Sequence, residues 1–250
     1  MARNQSKSQQ KRNQRLEQEP LNKKKYVNEV ASGLSQFKPT EKQREMLDVI
    51  RYNTLCVVEA PAGTGKTSTI LWDYCQEYLR DPTKKIVVVR TPVEAASLDK
   101  VGYLPLGLEE KIAPHFESTK RILTEFLGKN KVECDMDSRI FFKIPNYMVG
   151  STIDNALILV DEGQLLQPMI LKLILERLGV NSRCAVVGDA SQLYANDKES
   201  KLRNGLSDMI ERFFDKNMEP LYPDVGYYSF DAEDVMRSEI VKSVIKAYRK

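Results

Sequence analysis

Four short runs of aliphatic and β-branched residues constrain this chain more than any other feature. They are "TLCVVEA" (Thr54 to Ala60), "IVVVR" (Ile86 to Arg90), "ALILVD" (Ala156 to Asp161) and "RCAVVGD" (Arg183 to Asp189). None alternates apolar with polar residues, so a strand formed by any of them has no face suited to water. Between the runs lie helical patterns such as "KTSTILWDYCQEYL" and "QPMILKLILERLG", the latter with Pro168 just inside its start and Gly179 just past its end. Doubly buried strands that alternate with helices predict an α/β fold, a mostly parallel sheet flanked by helices. "RIFFKI" and "VGYYSF" are further strand candidates. Pro39 and Thr40 open a helix striped by Met46, Leu47 and Ile50, and the closing "DAEDVMRSEIVKSVIKAYRK" reads as a helix capped by Asp231.

Composition sets the outer limits. The 42 % hydrophobic content of the 250 residues is enough for a sizeable core. The longest apolar run, "ALILV", is far too short to span a bilayer, so no membrane role is expected. Cys56, Cys75, Cys134 and Cys184 lie far apart with no C-x-x-C pair, which predicts buried or inert thiols in a reducing cytoplasm rather than a zinc site. The net charge of +3 is unevenly spread: residues 1–25 hold eight cations against Glu17 and Glu19, net +6, which leaves −3 for the rest. This basic stretch, rich in Gln, Asn and Ser and followed by no apolar segment, reads as a disordered tail and not a secretory signal. It is either an arm for nucleic acid phosphates or a solubilising leader. Residues 26–250 then form a single domain.

The chemistry begins at "VVEAPAGTGKTSTI" (Val57 to Ile70). Within it, "APAGTGKT" has the spacing of a Walker A loop, with Ala60 in place of the usual first glycine. Gly63 and Gly65 allow the tight turn that points backbone N–H groups at phosphates, and the helix that follows adds its positive dipole end. Ala60, Pro61, Ala62, Gly63, Thr64, Gly65, Lys66, Thr67 and Ser68 are therefore the expected nucleotide-binding loop. Lys66 reaches the β- and γ-phosphates, and Thr67 offers its hydroxyl to Mg²⁺. "LILVDEGQ" places Asp161 and Glu162 at the end of a buried strand, Asp161 to hold Mg²⁺ and Glu162 to orient or deprotonate the attacking water. Paired acids favour hydrolysis over transfer to a small-molecule acceptor. In "VVGDASQL", Gln192 is a candidate sensor of the γ-phosphate, or the segment is a plain turn built on Gly188, Asp189 and Ser191. No N-K-x-D segment is present to read guanine, so ATP is the expected nucleotide. These features predict a P-loop NTPase core of the RecA-like kind.

In this order the pieces resemble the PhoH-like ATPases, relatives of superfamily 1 helicases. The likeness runs from about Phe37 to Tyr248. It is carried by "PTEKQ", "RTPVEAASLDKVGYLPLGLEEKIAP", "YMVGSTIDNALILVDEGQ", "VVGDASQL" and "FDAEDVMRSEIVKSVIKAY". The resemblance implies that Gln43 contacts adenine, that Thr91 and Pro92 face a nucleic acid backbone, and that Gln164 couples the carboxylates to the rest of the site. It also makes Arg237 a candidate γ-phosphate contact, with Arg177 a second. It implies single-stranded RNA or DNA as partner, RNA ahead of DNA, and a ring of identical copies, hexamers above all. The alternative is a nucleotide-dependent adaptor acting on a protein partner. The chain departs from the family pattern at Val149 and Ser151, where arginines are expected, at Gly163 for alanine, and at Ser238 for histidine. His115 matches no motif and reads as structural or surface.

Overall fold

The computed structural model describes residues 33–91, 108–145, 148, 150, 152–190 and 204–248. In chain order the elements are α1 (Glu41–Tyr52), β1 (Leu55–Glu59), α2 (Lys66–Arg80), β2 (Lys85–Arg90), α3 (Leu108–Leu127), α4 (Lys129–Asp135), β3 (Ile140–Lys143), β4 (Ala156–Asp161), α5 (Pro168–Leu175), β5 (Arg183–Gly188), α6 (Gly205–Phe213), β6 (Val225–Ser229) and α7 (Glu239–Tyr248). The six strands form one sheet in the order β3-β2-β4-β5-β1-β6, with every neighbouring pair parallel. "RIFFKI" and "VGYYSF" supply its two edges.

The apolar runs explain the layering. All six residues of β4 are buried, and β2 and β5 are buried through their middles. One face packs under α1, α2 and α3 through Met46, Leu47, Ile70, Tyr74 and Leu123, and the other under α5 and α6 through Leu171, Ile174 and Met209. Each such aliphatic side chain removed from water contributes about 1.5–3 kcal/mol. α1 starts where the sequence places it: the Thr40 hydroxyl accepts from the Gln43 N–H and the Gln43 side chain accepts from the Thr40 N–H, a reciprocal cap.

Two helix expectations are corrected. α5 begins at Pro168 but stops at Leu175, before Gly179. Gly179 instead donates its N–H to the Ile153 carbonyl at 3.0 Å, and an added Cβ would lie 2.7 Å from Thr152 Cγ2. The glycine thus serves a close approach of two segments. Asp231 does cap a helical turn, but only the 3-10 turn Ala232–Asp234, and α7 begins anew at Glu239. The interruption has a tertiary cause, because the Met236 N–H leaves the helical path to donate to the Gly63 carbonyl at 2.9 Å. Of the thiols, Cys56, Cys75 and Cys184 are buried and Cys134 is exposed.

Candidate functional site

The Walker-type loop sits at the carboxyl ends of the parallel strands, the edge at which open α/β sheets bind ligands. Its entry is fixed by the sheet: the Ala60 N–H donates to the Gly188 carbonyl at 2.8 Å, which extends the β1–β5 ladder by one residue. Ala60 is fully buried and keeps a negative φ, so this position does not require glycine. Gly63 and Gly65 do require it, with φ of 91° and 77°. A Cβ on Gly63 would meet Arg237 Cγ at 2.7 Å and Val235 Cγ1 at 3.4 Å, and one on Gly65 would meet Gln43 Nε2 at 2.7 Å. Gly65 is also the N-cap of α2, so Lys66, Thr67 and Ser68 form that helix's first turn, where free N–H groups and the dipole favour an anion. Buried Thr64 closes the loop on itself by donating to the Pro61 carbonyl at 3.2 Å. Ala62 is exposed at the loop's crest.

Asp161 and Glu162 lie across from this turn. Thr67 Oγ1 is 3.4 Å from Asp161 Oδ1, so the two predicted metal ligands are neighbours. Asp161 is only 5 % exposed. Burial first, then the adjacent Glu162 charge, push its carboxyl above the ordinary range, against the opposing pull of Arg90 and Lys66. A buried carboxylate whose charge is this poorly compensated gains from a nearby cation, and with Thr67 beside it the donor set suits Mg²⁺. Glu162 adopts a left-handed backbone, φ 56° and ψ 46°, which turns its side chain out of the strand line. Gln164 Nε2 donates to Glu162 Oε2 at 2.7 Å, and Gln164 Oε1 accepts from the Asp189 N–H at 3.2 Å. The buried glutamine therefore ties the second carboxylate to the end of β5.

The resemblance-based positions are placed as follows. Gln43 is buried, and its side-chain NH₂ donates to the Thr64 carbonyl at 2.9 Å, so here it braces the phosphate loop. Arg237 is exposed and lies over Gly63, and among the described residues no carboxylate pairs with it. Arg177 is remote from both: its carbonyl accepts from the Ile153 N–H, which precedes β4, at the opposite edge of the sheet. It therefore does not reach this chain's own phosphate loop. Thr91 follows β2 directly, half-buried. Gln192, Pro92, Val149 and Ser151 lie outside the described residues.

One participant was missed in the sequence. Arg90 ends β2, and the β2–β4 register sets it opposite Asp161. Its Nη1 lies 3.8 Å from Asp161 Oδ2, and its Nη2 lies 3.5 Å from Glu162 Oε1. Nη1 also donates to the His115 carbonyl at 3.2 Å, which gives that histidine's segment a structural role. The available signal was a cation closing a buried parallel strand at the ligand edge. A second missed pair is Tyr227, whose hydroxyl donates to Glu59 Oε2 at 2.8 Å one residue before the loop.

The sequence profile of the PhoH-like proteins matches residues 37–249. The chain belongs to the PhoH-like family. It is 32 % identical over 221 residues to the PhoH-like protein of Bacillus subtilis, covering 88 % of this chain and 66 % of that one. To Protein PhoH of Escherichia coli K12 it is 32 % identical over 212 residues, covering 83 % of this chain and 56 % of that one. The chain thus spans between about half and two thirds of the length of these relatives. A solved large-terminase ATPase domain of Thermus phage P74-26 overlays 81 % of this chain and 85 % of its own, with a TM-score of 0.48 at 11 % identity. This PhoH-like chain is an α/β fold with its Walker-type loop at the ligand edge of a parallel sheet, and no described helix is long and apolar enough to cross a membrane.

Proposed function

We propose that this PhoH-like chain binds ATP and hydrolyses it, and that turnover is coupled to single-stranded nucleic acid, RNA ahead of DNA. The observation that carries the ATPase reading is the meeting of Thr67 with Asp161, beside Glu162 and beneath Arg237, at one sheet edge. In this reading the loop from Ala60 to Ser68 cradles the phosphates, and Lys66 neutralises their charge. Thr67 and Asp161 hold Mg²⁺, which supplies charge neutralisation of the phosphate oxygens when bound. Glu162, held by Gln164, aligns the attacking water and takes its proton. Arg237 stabilises the charge that builds on the γ-phosphate, an effect worth about 10³- to 10⁵-fold for a well-placed arginine. Gln43, although it braces the loop, keeps its proposed place beside adenine, and Gln192 its place near the γ-phosphate.

The finer parts of the reading rest on the resemblance and on charge. Residues 26–250 act as one P-loop domain, and the basic segment 1–25 contacts nucleic acid phosphates. The protein works in the cytoplasm. Copies assemble into a ring, hexameric by the resemblance, that covers the open γ-phosphate side; Arg177, on the far edge, would then serve only a neighbour's site. The test is phosphate release from ATP with and without single-stranded RNA or DNA, with Glu162→Gln as the blank. Stimulation by a strand that weakens steeply with salt supports nucleic acid coupling, and activity no higher than the blank refutes the ATPase. One observation favours the second reading, an adaptor for a protein partner: Met236, Ile240, Val241 and Val244 expose an apolar stripe immediately beside Arg237. Turnover indifferent to both strands would shift the balance to it.

A further inference from the structure

We propose that Arg90 is a positioning residue that acts as a counter-cation latch: it bridges Asp161 and Glu162 when no metal is present and yields Asp161 when Mg²⁺ arrives with the nucleotide. This rests on the nucleotide reading above and assigns its metal requirement to a residue outside the Walker motifs.

The geometry is that of a shared, imperfect grip. The guanidinium spans both carboxylates at 3.8 and 3.5 Å, longer than the 2.7–2.9 Å of a settled charged hydrogen bond. Its Nε is buried, with no hydrogen-bond partner among the described residues. A buried donor left unmatched in this way marks an arrangement that is not the tightest available to the side chain. Among the described residues its shortest hydrogen bond, at 3.2 Å, goes to the His115 carbonyl in α3. Arg90 therefore touches both acids and the helix beyond them. By contrast, Arg51 binds Asp73 at 2.7 Å in the same chain, as a plain structural pair does.

A divalent ion beside Thr67 and Asp161 would occupy the same acidic ground as the guanidinium, and two cations there repel. Arg90 and Mg²⁺ thus compete for Asp161, while Glu162 keeps Arg90 as an orienting partner. Asp161 would be open to a divalent ion only as Arg90 lets go, and that release would be passed to α3 through the His115 carbonyl. Without the latch the acids would be repelling and unscreened, so the metal would bind more readily but Glu162 would be less well aimed.

The experiment follows binding of a fluorescent, non-hydrolysable ATP analogue to the full chain across a Mg²⁺ titration. Arg90→Gln should lower the Mg²⁺ needed for half-saturation on the order of tenfold. Arg90→Lys, which keeps the charge but loses the fork, should stay within about twofold of wild type. Both should lower kcat with less effect on KM, since neither aims Glu162 as Arg90 does. An unchanged or raised Mg²⁺ requirement in Arg90→Gln overturns the latch and leaves a structural ion pair. Hydrogen exchange on the wild-type chain decides the matter if that variant does not fold. Exchange around His115 in α3 should rise when Mg²⁺ joins the analogue but not with the analogue alone, and no such change also overturns the latch. Failure of the wild-type chain to bind the analogue at any Mg²⁺ level would sink the proposed function and the latch together.

Discussion

Gly63→Ala tests whether the phosphate loop and Arg237 work as one unit. Two separate costs are expected. The first is in the backbone: φ at Gly63 is 91°, a region an alanine enters at about 1–2 kcal/mol. For a chain of this size each kcal/mol lowers Tm by roughly 2–4 °C, so thermal unfolding should move down by about 2–8 °C. The second is at the site. The new methyl would lie 2.7 Å from Arg237 Cγ and 3.1 Å from its Nε, well inside van der Waals contact, so the arginine must swing away from the loop. If Arg237 meets the γ-phosphate, its displacement should lower kcat by about 10³, or roughly 4 kcal/mol of transition-state stabilisation. The assay is a double-variant cycle on ATP turnover, with Arg237→Ala as the second change. Adding Gly63→Ala to Arg237→Ala should reduce kcat by much less than it does in the wild-type chain, because the contact is already gone. Losses that multiply would refute the reasoning and show that Gly63 serves the loop backbone alone.

Glu162→Gln should keep nucleotide affinity while kcat drops by about 10²- to 10⁴-fold, read by single-turnover kinetics against equilibrium binding. Gln164→Ala frees the Glu162 carboxylate from its 2.7 Å partner, and kcat should fall about tenfold or more with KM for ATP little changed. A native chain treated with a thiol reagent at pH 8 should react rapidly at exposed Cys134 alone. Burial shields Cys75 and Cys184 and pushes the Cys56 thiol up to about 12, so four equivalents should react only after unfolding. Fast reaction at more than one thiol in the native chain would contradict the described core. Lys66→Ala should abolish binding of the ATP analogue by calorimetry while leaving Tm within about 2 °C, since among the described residues its hydrogen bonding is a long 3.4 Å contact to the Pro61 carbonyl.

Much of this arrangement was legible in the sequence because its signals are local. The strands announce themselves as unbroken apolar runs, the loop by glycines at fixed spacing, and α1 by Thr40 three residues before Gln43. What was hidden depends on contacts between distant segments. Arg90 is an ordinary strand end until the β2–β4 pairing, 71 positions apart at Arg90 and Asp161, sets it on the carboxylates. α7 looked continuous from Asp231 because local propensity there favours helix throughout, and only the pull of the Gly63 carbonyl on Met236 breaks it. Gln43 is marked in the sequence only through the resemblance, as an adenine contact, and its burial follows from the loop folding over it.

That bond between Gly63 and Met236 also bears on how the protein comes into being. A chain made from its N-terminus has β1, the loop and α2 in hand long before residue 236 emerges, and a contact of such sequence separation is costly to close early. The growing chain thus carries a phosphate loop that is chemically whole but not yet braced at Gly63. Competence to grip a nucleotide then waits on Met236, and a nascent protein held short of it should leave ATP untouched even with every Walker residue already outside the ribosome.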